Sequence, residues 1–341
     1  MSENIHEILY HIVFNYLKFQ SELTFQKLCK HTTKLHITNL SNVDYEYLKR
    51  FDDKVLKNFT HATKFDIPFW NSLITDVNHM TKLKELDISH EQSHMTDEGI
   101  KNLTNLEILN ISDNMNVTNL NHMTKLKVLN ARGQYCIINN EGVKNLTDLE
   151  ILNVNYNRWI TDVNHMTKLK ELDISNSGID NNGTHHLTSL EVLNASWNNK
   201  IFDINNMSNL KKLIILGLCG INNEGITKLT NLEILDVSSN NKISNINHLT
   251  KLTELNAGYR CGLASDGIFN LTDLKILDVS DNSKITDINQ MTKLTELNAG
   301  YKCGLANDGI YNLSNLENLD INYNNQINHI SHLTKLTKVN Y

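Results

Sequence analysis

The chain has 341 residues, 40% of them hydrophobic and 21% charged, enough to bury a core without disulfides or metals and without the charge excess of a disordered chain. Its net charge of −6 argues against a nucleic-acid partner, since phosphate binding needs a clustered basic face. No apolar run approaches the ~18 residues of a membrane span, and no signal peptide is read at the N-terminus, so the chain is expected to be intracellular.

Residues 1–31 come first and carry no repeat. Ile5, Ile8, Leu9, Ile12, Val13, Tyr16 and Leu17 recur at the spacing of an amphipathic helix. Ser21 can cap a second helix through Lys30, with Leu23, Leu28 and Cys29 apolar. In the next segment, 32–79, Leu35-His36-Ile37 reads as a first strand and Phe65-Asp66-Ile67 as a second. Between them Val43, Tyr47, Phe51, Val55 and Phe59 predict a helix capped at Asn42. Pro68-Phe69-Trp70 then marks a turn.

From Met80 to the end one frame recurs: apolar-x-x-Leu-x-x-Leu-Asn/Asp-apolar-x-x-Asn. Leu271 to Asn282, LTDLKILDVSDN, is a clear copy, and LTNLEILNISDN begins at Leu103. About thirteen units alternate between 20 and 21–23 residues, so the true repeat is a pair of about 42. Thr250–Tyr259 and Thr292–Tyr301 are identical, which points to tandem duplication. Alternation puts Leu109 and Ile111 inward and Ile108, Asn110 and Ser112 outward. In the longer units Asp97-Glu98-Gly99, Asn140-Glu141-Gly142, Asn223-Glu224-Gly225, Asp266-Gly267 and Asp308-Gly309 read as caps of short helices.

This frame resembles that of leucine-rich-repeat proteins. The resemblance implies an α/β solenoid: a right-handed horseshoe with a parallel concave sheet and short convex helices or turns. It also implies that the closing asparagines Asn114, Asn157, Asn198, Asn240, Asn282 and Asn324 form a ladder bonding backbone groups of neighbouring turns. Glu7-Ile8-Leu9-Tyr10-His11-Ile12-Val13, Tyr16-Leu17, Glu22-Leu23 and Leu28-Cys29-Lys30 are similar to the F-box, although His6 stands in place of its proline. That resemblance implies that Ile8, Leu9, Ile12, Leu17, Leu23 and Leu28 dock on a Skp-type adaptor. The other reading of residues 1–31 is a helical cap sealing the first repeat. The 52 asparagines, against one proline and four arginines, resemble the repeat proteins of giant DNA viruses and some amoebae.

Cys136, Cys219, Cys261 and Cys303 occupy corresponding places two or more turns apart, on the order of 10 Å at the nearest, too far for disulfides or a zinc cluster. His79, His122, His165 and His248 have the same spacing and are read as convex structural residues. No catalytic constellation, metal spacing or cofactor motif stands outside the repeat register, so no enzyme is expected. The concave face carries an Asn/Asp column, read as surface texture and broken once at Ile214, where Lys212, Ile214 and Leu216 make an apolar spot. Tyr156, Trp197, Tyr259, Tyr301 and Tyr323 form an edge row. These residues are the candidates for a protein partner. The expected function is a protein-interaction module: a substrate-recognition adaptor of a ubiquitin ligase if the F-box reading holds, otherwise a stand-alone scaffold. The last strand is expected to leave an open edge at which weak self-association is possible.

Overall fold

Each repeat can bury only one short apolar face, so the structure is set by how neighbouring turns share that face. The computed structural model describes residues 38–40, 51–57, 59–67 and 71–341. Among these, fourteen strands of three residues, from β1 (Lys64–Asp66) to β14 (Lys338–Asn340), form one parallel sheet in strict chain order. Each middle residue points inward. Leu109 lies opposite Leu129 and Leu129 opposite Leu152, and all three are buried in one continuous core running the length of the solenoid. The described residues include no helix long and apolar enough to cross a membrane.

The first strand of the sequence reading, 35–37, and the helix expected from Asn42 fall largely outside the described residues. What is described there is a bridge from Asn39 to Lys64 and a single helical turn, α1 (Asp53–Leu56). Asp52 caps that turn by accepting the Val55 amide at 2.8 Å.

Two hydrogen-bonded rows tie the turns together on the sheet side. The closing asparagines are buried, and their side-chain amides donate backwards to the preceding turn: Asn114 to Ile88 O at 3.0 Å, Asn198 to Ile174 O at 3.1 Å, Asn282 to Ala257 O at 2.9 Å. Their Oδ1 atoms accept amides two or three residues on, as Asn114 does from Val117 at 3.0 Å. In alternate turns the position holds Cys136, Cys219, Cys261 or Cys303, all buried and free, or a serine, Ser93 or Ser177.

The second row is the Asn/Asp column, and here the expectation of a mere surface texture is corrected. In most turns Oδ1 of the strand-end Asn or Asp accepts the amide two residues on, for example Ser238 N to Asp236 at 3.0 Å and Asn322 N to Asp320 at 3.0 Å. Neighbouring side chains also bond sideways: Asn110 to Asp87 at 2.8 Å, Asn298 to Asp278 at 2.9 Å, Asn340 to Asp320 at 3.0 Å. Where Asp66 adjoins Asp87 without an intervening amide, burial and then the neighbouring charge hold the Asp66 carboxyl above the usual range.

On the convex side the acidic-Gly segments are single turns: α2 (Asp97–Ile100), α3 (Asn140–Val143) and four 3-10 turns. The reading of Asp97 and Asn140 as caps is corrected. The caps are Thr96 and Asn139, and the Asp97 and Asn140 side chains instead reach the next turn, accepting Thr118 N and Thr161 N at 2.8 Å each. Glycine is required within these segments because the turns nearly touch. A Cβ at Gly142 would lie 2.1 Å from the Thr118 carbonyl oxygen, and the other five meet the same obstacle. His79, His122, His165 and His248 hold Nε2 at 2.7–3.1 Å from carbonyl oxygens of the turn before.

Replacing Asn240 with alanine strands the buried Ile215 carbonyl and the Lys242 amide that it serves. The variant is expected to lose about 1–3 kcal/mol. Thermal or urea denaturation checks this, and an unchanged midpoint would contradict the rung's role.

Candidate binding surface on the sheet and its rim

The turn off each strand sets what stands at the rim. Where Oδ1 captures the amide two residues on, the following residue falls into the left-handed region. The third residue past the strand has positive φ in all twelve turns from His90 to Tyr323, including the turn after Ile214, which has no Oδ1 to offer. Glycine takes that conformation freely and Asn or Asp at little cost, and five turns use them: Asp113, Gly133, Asn176, Gly217 and Asp281. Five others place Tyr156, Trp197, Tyr259, Tyr301 and Tyr323 there, each at about 1–2 kcal/mol. The rings are 50–81% exposed, so burial does not offset the strain. They do not form one continuous stack: only Tyr301 and Tyr323 meet, edge to face, at 6.3 Å between centroids.

The other candidates gather at one turn. In β8 (Lys212–Ile214) Lys212 opens the strand and Ile214 closes it, both half-buried, opposite Val192 and Asn194 of the preceding strand. Ile214 cannot accept the amide of Leu216, and Ser196 Oγ of the previous turn takes it at 3.1 Å instead. Trp197 lies across Gly217, where a Cβ would come within 2.6 Å of the indole. Beside it Leu218 is 73% exposed. The sequence reading missed Leu218. Aligning Leu213-Ile-Ile-Leu-Gly-Leu-Cys-Gly220 with Leu255-Asn-Ala-Gly-Tyr-Arg-Cys-Gly262 would have found it, since Leu218 stands where Arg260 does. The adaptor candidates Ile8, Leu9, Ile12, Leu17, Leu23 and Leu28 lie outside the described residues.

Charge on this face is managed unevenly. In the first half a row of lysines and glutamates pairs across turns: Lys64 with Glu85 at 2.7 Å, Lys127 with Glu150 at 3.2 Å, and Glu191 between Lys211 at 2.7 Å and Lys170 at 3.2 Å. Lys211 first and Lys170 next hold the Glu191 carboxyl below its usual range. Among the described residues no group of three His, Cys, Asp or Glu is placed to hold a metal.

No family model matches the chain, and no curated protein matches it in sequence. Solved structures do resemble it. An internalin, InlF, of Listeria monocytogenes is 26% identical over 84% of this chain and 82% of its own, with a TM-score of 0.57. The Leptospira interrogans LRR protein LIC12759 is 18% identical over 94% and 98%, with a TM-score of 0.58. The fold is that of the leucine-rich-repeat proteins. The functional domain of InlJ from Listeria monocytogenes, described as including a cysteine ladder, is 20% identical over 79% of this chain and 65% of its own, with a TM-score of 0.53. In this chain the buried cysteines alternate with asparagine rungs.

Burial pushes the Cys136, Cys261 and Cys303 thiols up to about 11, and raises Cys219 as well. Native protein at pH 8 is therefore expected to leave these four thiols unreactive towards a thiolate-trapping disulfide reagent, with all five cysteines of the chain reacting after unfolding. Because the folded values lie above the unfolded ones, their contribution to stability is complete below about pH 8.5 and is lost as the pH climbs towards 11. Fast native reaction would contradict the buried placement.

Proposed function

We propose that the chain is a protein-interaction module that works by binding rather than by catalysis. The observation that carries this is the turn of β8. There three positions filled by Asn256, Gly258 and Arg260 in a sister turn hold Ile214, Leu216 and Leu218. The sister turn folds without them, so the apolar spot has no structural need. An aromatic and aliphatic cluster on an otherwise polar surface is where binding energy concentrates. The strained, exposed aromatics along the rim extend the same surface. Leu218→Asp and Trp197→Ala are expected to abolish capture of a cognate protein while leaving the thermal midpoint within about a degree, because surface changes of this kind cost under ~0.5 kcal/mol. Capture unaffected by both would defeat the assignment.

The finer role rests on sequence. The F-box-like pattern of residues 7–30 supports an adaptor that docks on a Skp-type subunit and presents its captured partner for ubiquitination by proximity. The four reduced ladder thiols are in keeping with an intracellular site of action. Co-purification of a Skp-type subunit with the intact chain, lost in Leu9→Asp, is the expected result. If no such subunit binds, residues 1–31 serve only as a cap and the scaffold reading stands.

A further inference from the structure

From β9 (Ile234–Asp236) onward the sheet-side charges change character. The row of cross-turn Lys–Glu pairs beside the strand starts ends there, and the ion pairs of this half among the described residues are Arg260–Asp281 and Lys293–Asp273. Glu254 and Glu296 open their strands on the concave face with no ion pair among the described residues. Beyond the rim Lys284 and Lys302 are exposed and equally without one. Lys302 lies only over its neighbour's ring, 5.6 Å from the Tyr301 centroid. Tyr259, Tyr301 and Tyr323 stand exposed on the rim of this half. The backbone is doubly strained at this ridge: both members of Tyr259-Arg260 and of Tyr301-Lys302 have positive φ, whereas in the β8 turn only Gly217 does.

We propose that this half of the surface holds an extended segment of a partner protein whose side chains alternate acidic and basic, lying astride the tyrosine ridge. The inference rests on the protein-binding reading above and names the chemistry of the bound segment. An extended chain sends successive side chains to opposite sides. Laid along the ridge, it puts one set over the carboxylates of Glu254 and Glu296 and the other over the ammonium groups of Lys284 and Lys302. Its backbone and apolar stems cover the rings. A uniformly charged polymer, whether a nucleic acid or a purely acidic peptide, is repelled by one row as it is drawn to the other.

The test uses the full chain and a fluorescent peptide of alternating glutamate and lysine, with oligoglutamate, oligolysine and a single-stranded oligonucleotide as comparators. The alternating peptide is expected to bind tightest, with affinity falling as salt rises. The Lys284→Glu, Lys302→Glu pair and the Glu254→Lys, Glu296→Lys pair should each weaken it by about tenfold or more. The quadruple variant, which exchanges the two rows, should recover binding, because the peptide can turn over on the ridge. Recovery separates recognition from misfolding. A comparator binding as tightly, or a quadruple variant no better than the double ones, overturns the proposal. If that happens while a protein partner is still captured through Leu218, the binding-module reading survives alone. If capture is also indifferent to Leu218→Asp, both fall.

Discussion

The structure depends on one short contact repeated along the sheet: a strand-end Asp or Asn accepting the amide two residues on. It recurs at most strand ends, holds the amide two residues on, and stands directly before the left-handed residue where the rim side chains are placed. It also occupies the polar atoms that would otherwise make the centre of the concave face an obvious place to bind. What remains free is the margin: aromatic rings held out of the core and charges without partners. The same economy explains why Ile214 matters. Removing one acceptor leaves an apolar floor, and Ser196 supplies the missing bond at little structural cost.

The two long-range ladders divide the work. The Asn–Cys rungs lie inside and satisfy carbonyls that water cannot reach. The convex turns press backbone against backbone through glycine. Side chains between them are left to set surface chemistry, and they do so differently in the two halves. The first half pairs the lysines and glutamates that stand just before its strands, and the second half leaves Glu233, Lys275 and Glu317 of the same row without an ion pair among the described residues.

Most of the fold could be read from the sequence because its periods are those of the backbone. Two-residue alternation set Leu109 inward, and the spacing of about 42 residues separated the thiols. The convex caps were misplaced because Asp97 and Asn140 have the residue types of a cap, yet spend their side chains on the following turn, a contact about 21 residues away that no local pattern encodes. The candidate surface was half readable for the same reason. Tyr259 and Trp197 stand out as residue types, whereas the left-handed backbone beneath them and the exposure of Leu218 depend on three-dimensional register.

The alternation of Asn and Cys along the inner ladder also constrains how such a chain can change length. Adjacent rungs are about 4.8 Å apart. Loss or gain of a single turn would set two thiols, or two asparagines competing for the same carbonyls, on neighbouring rungs. Two thiols at that separation fall within disulfide range, about 4.4–6.8 Å between Cα atoms. Loss or gain of two turns preserves parity. The identical stretches at Thr250–Tyr259 and Thr292–Tyr301 show the chain growing in that permitted step, so the ladder acts as a counting rule on the protein's own duplication.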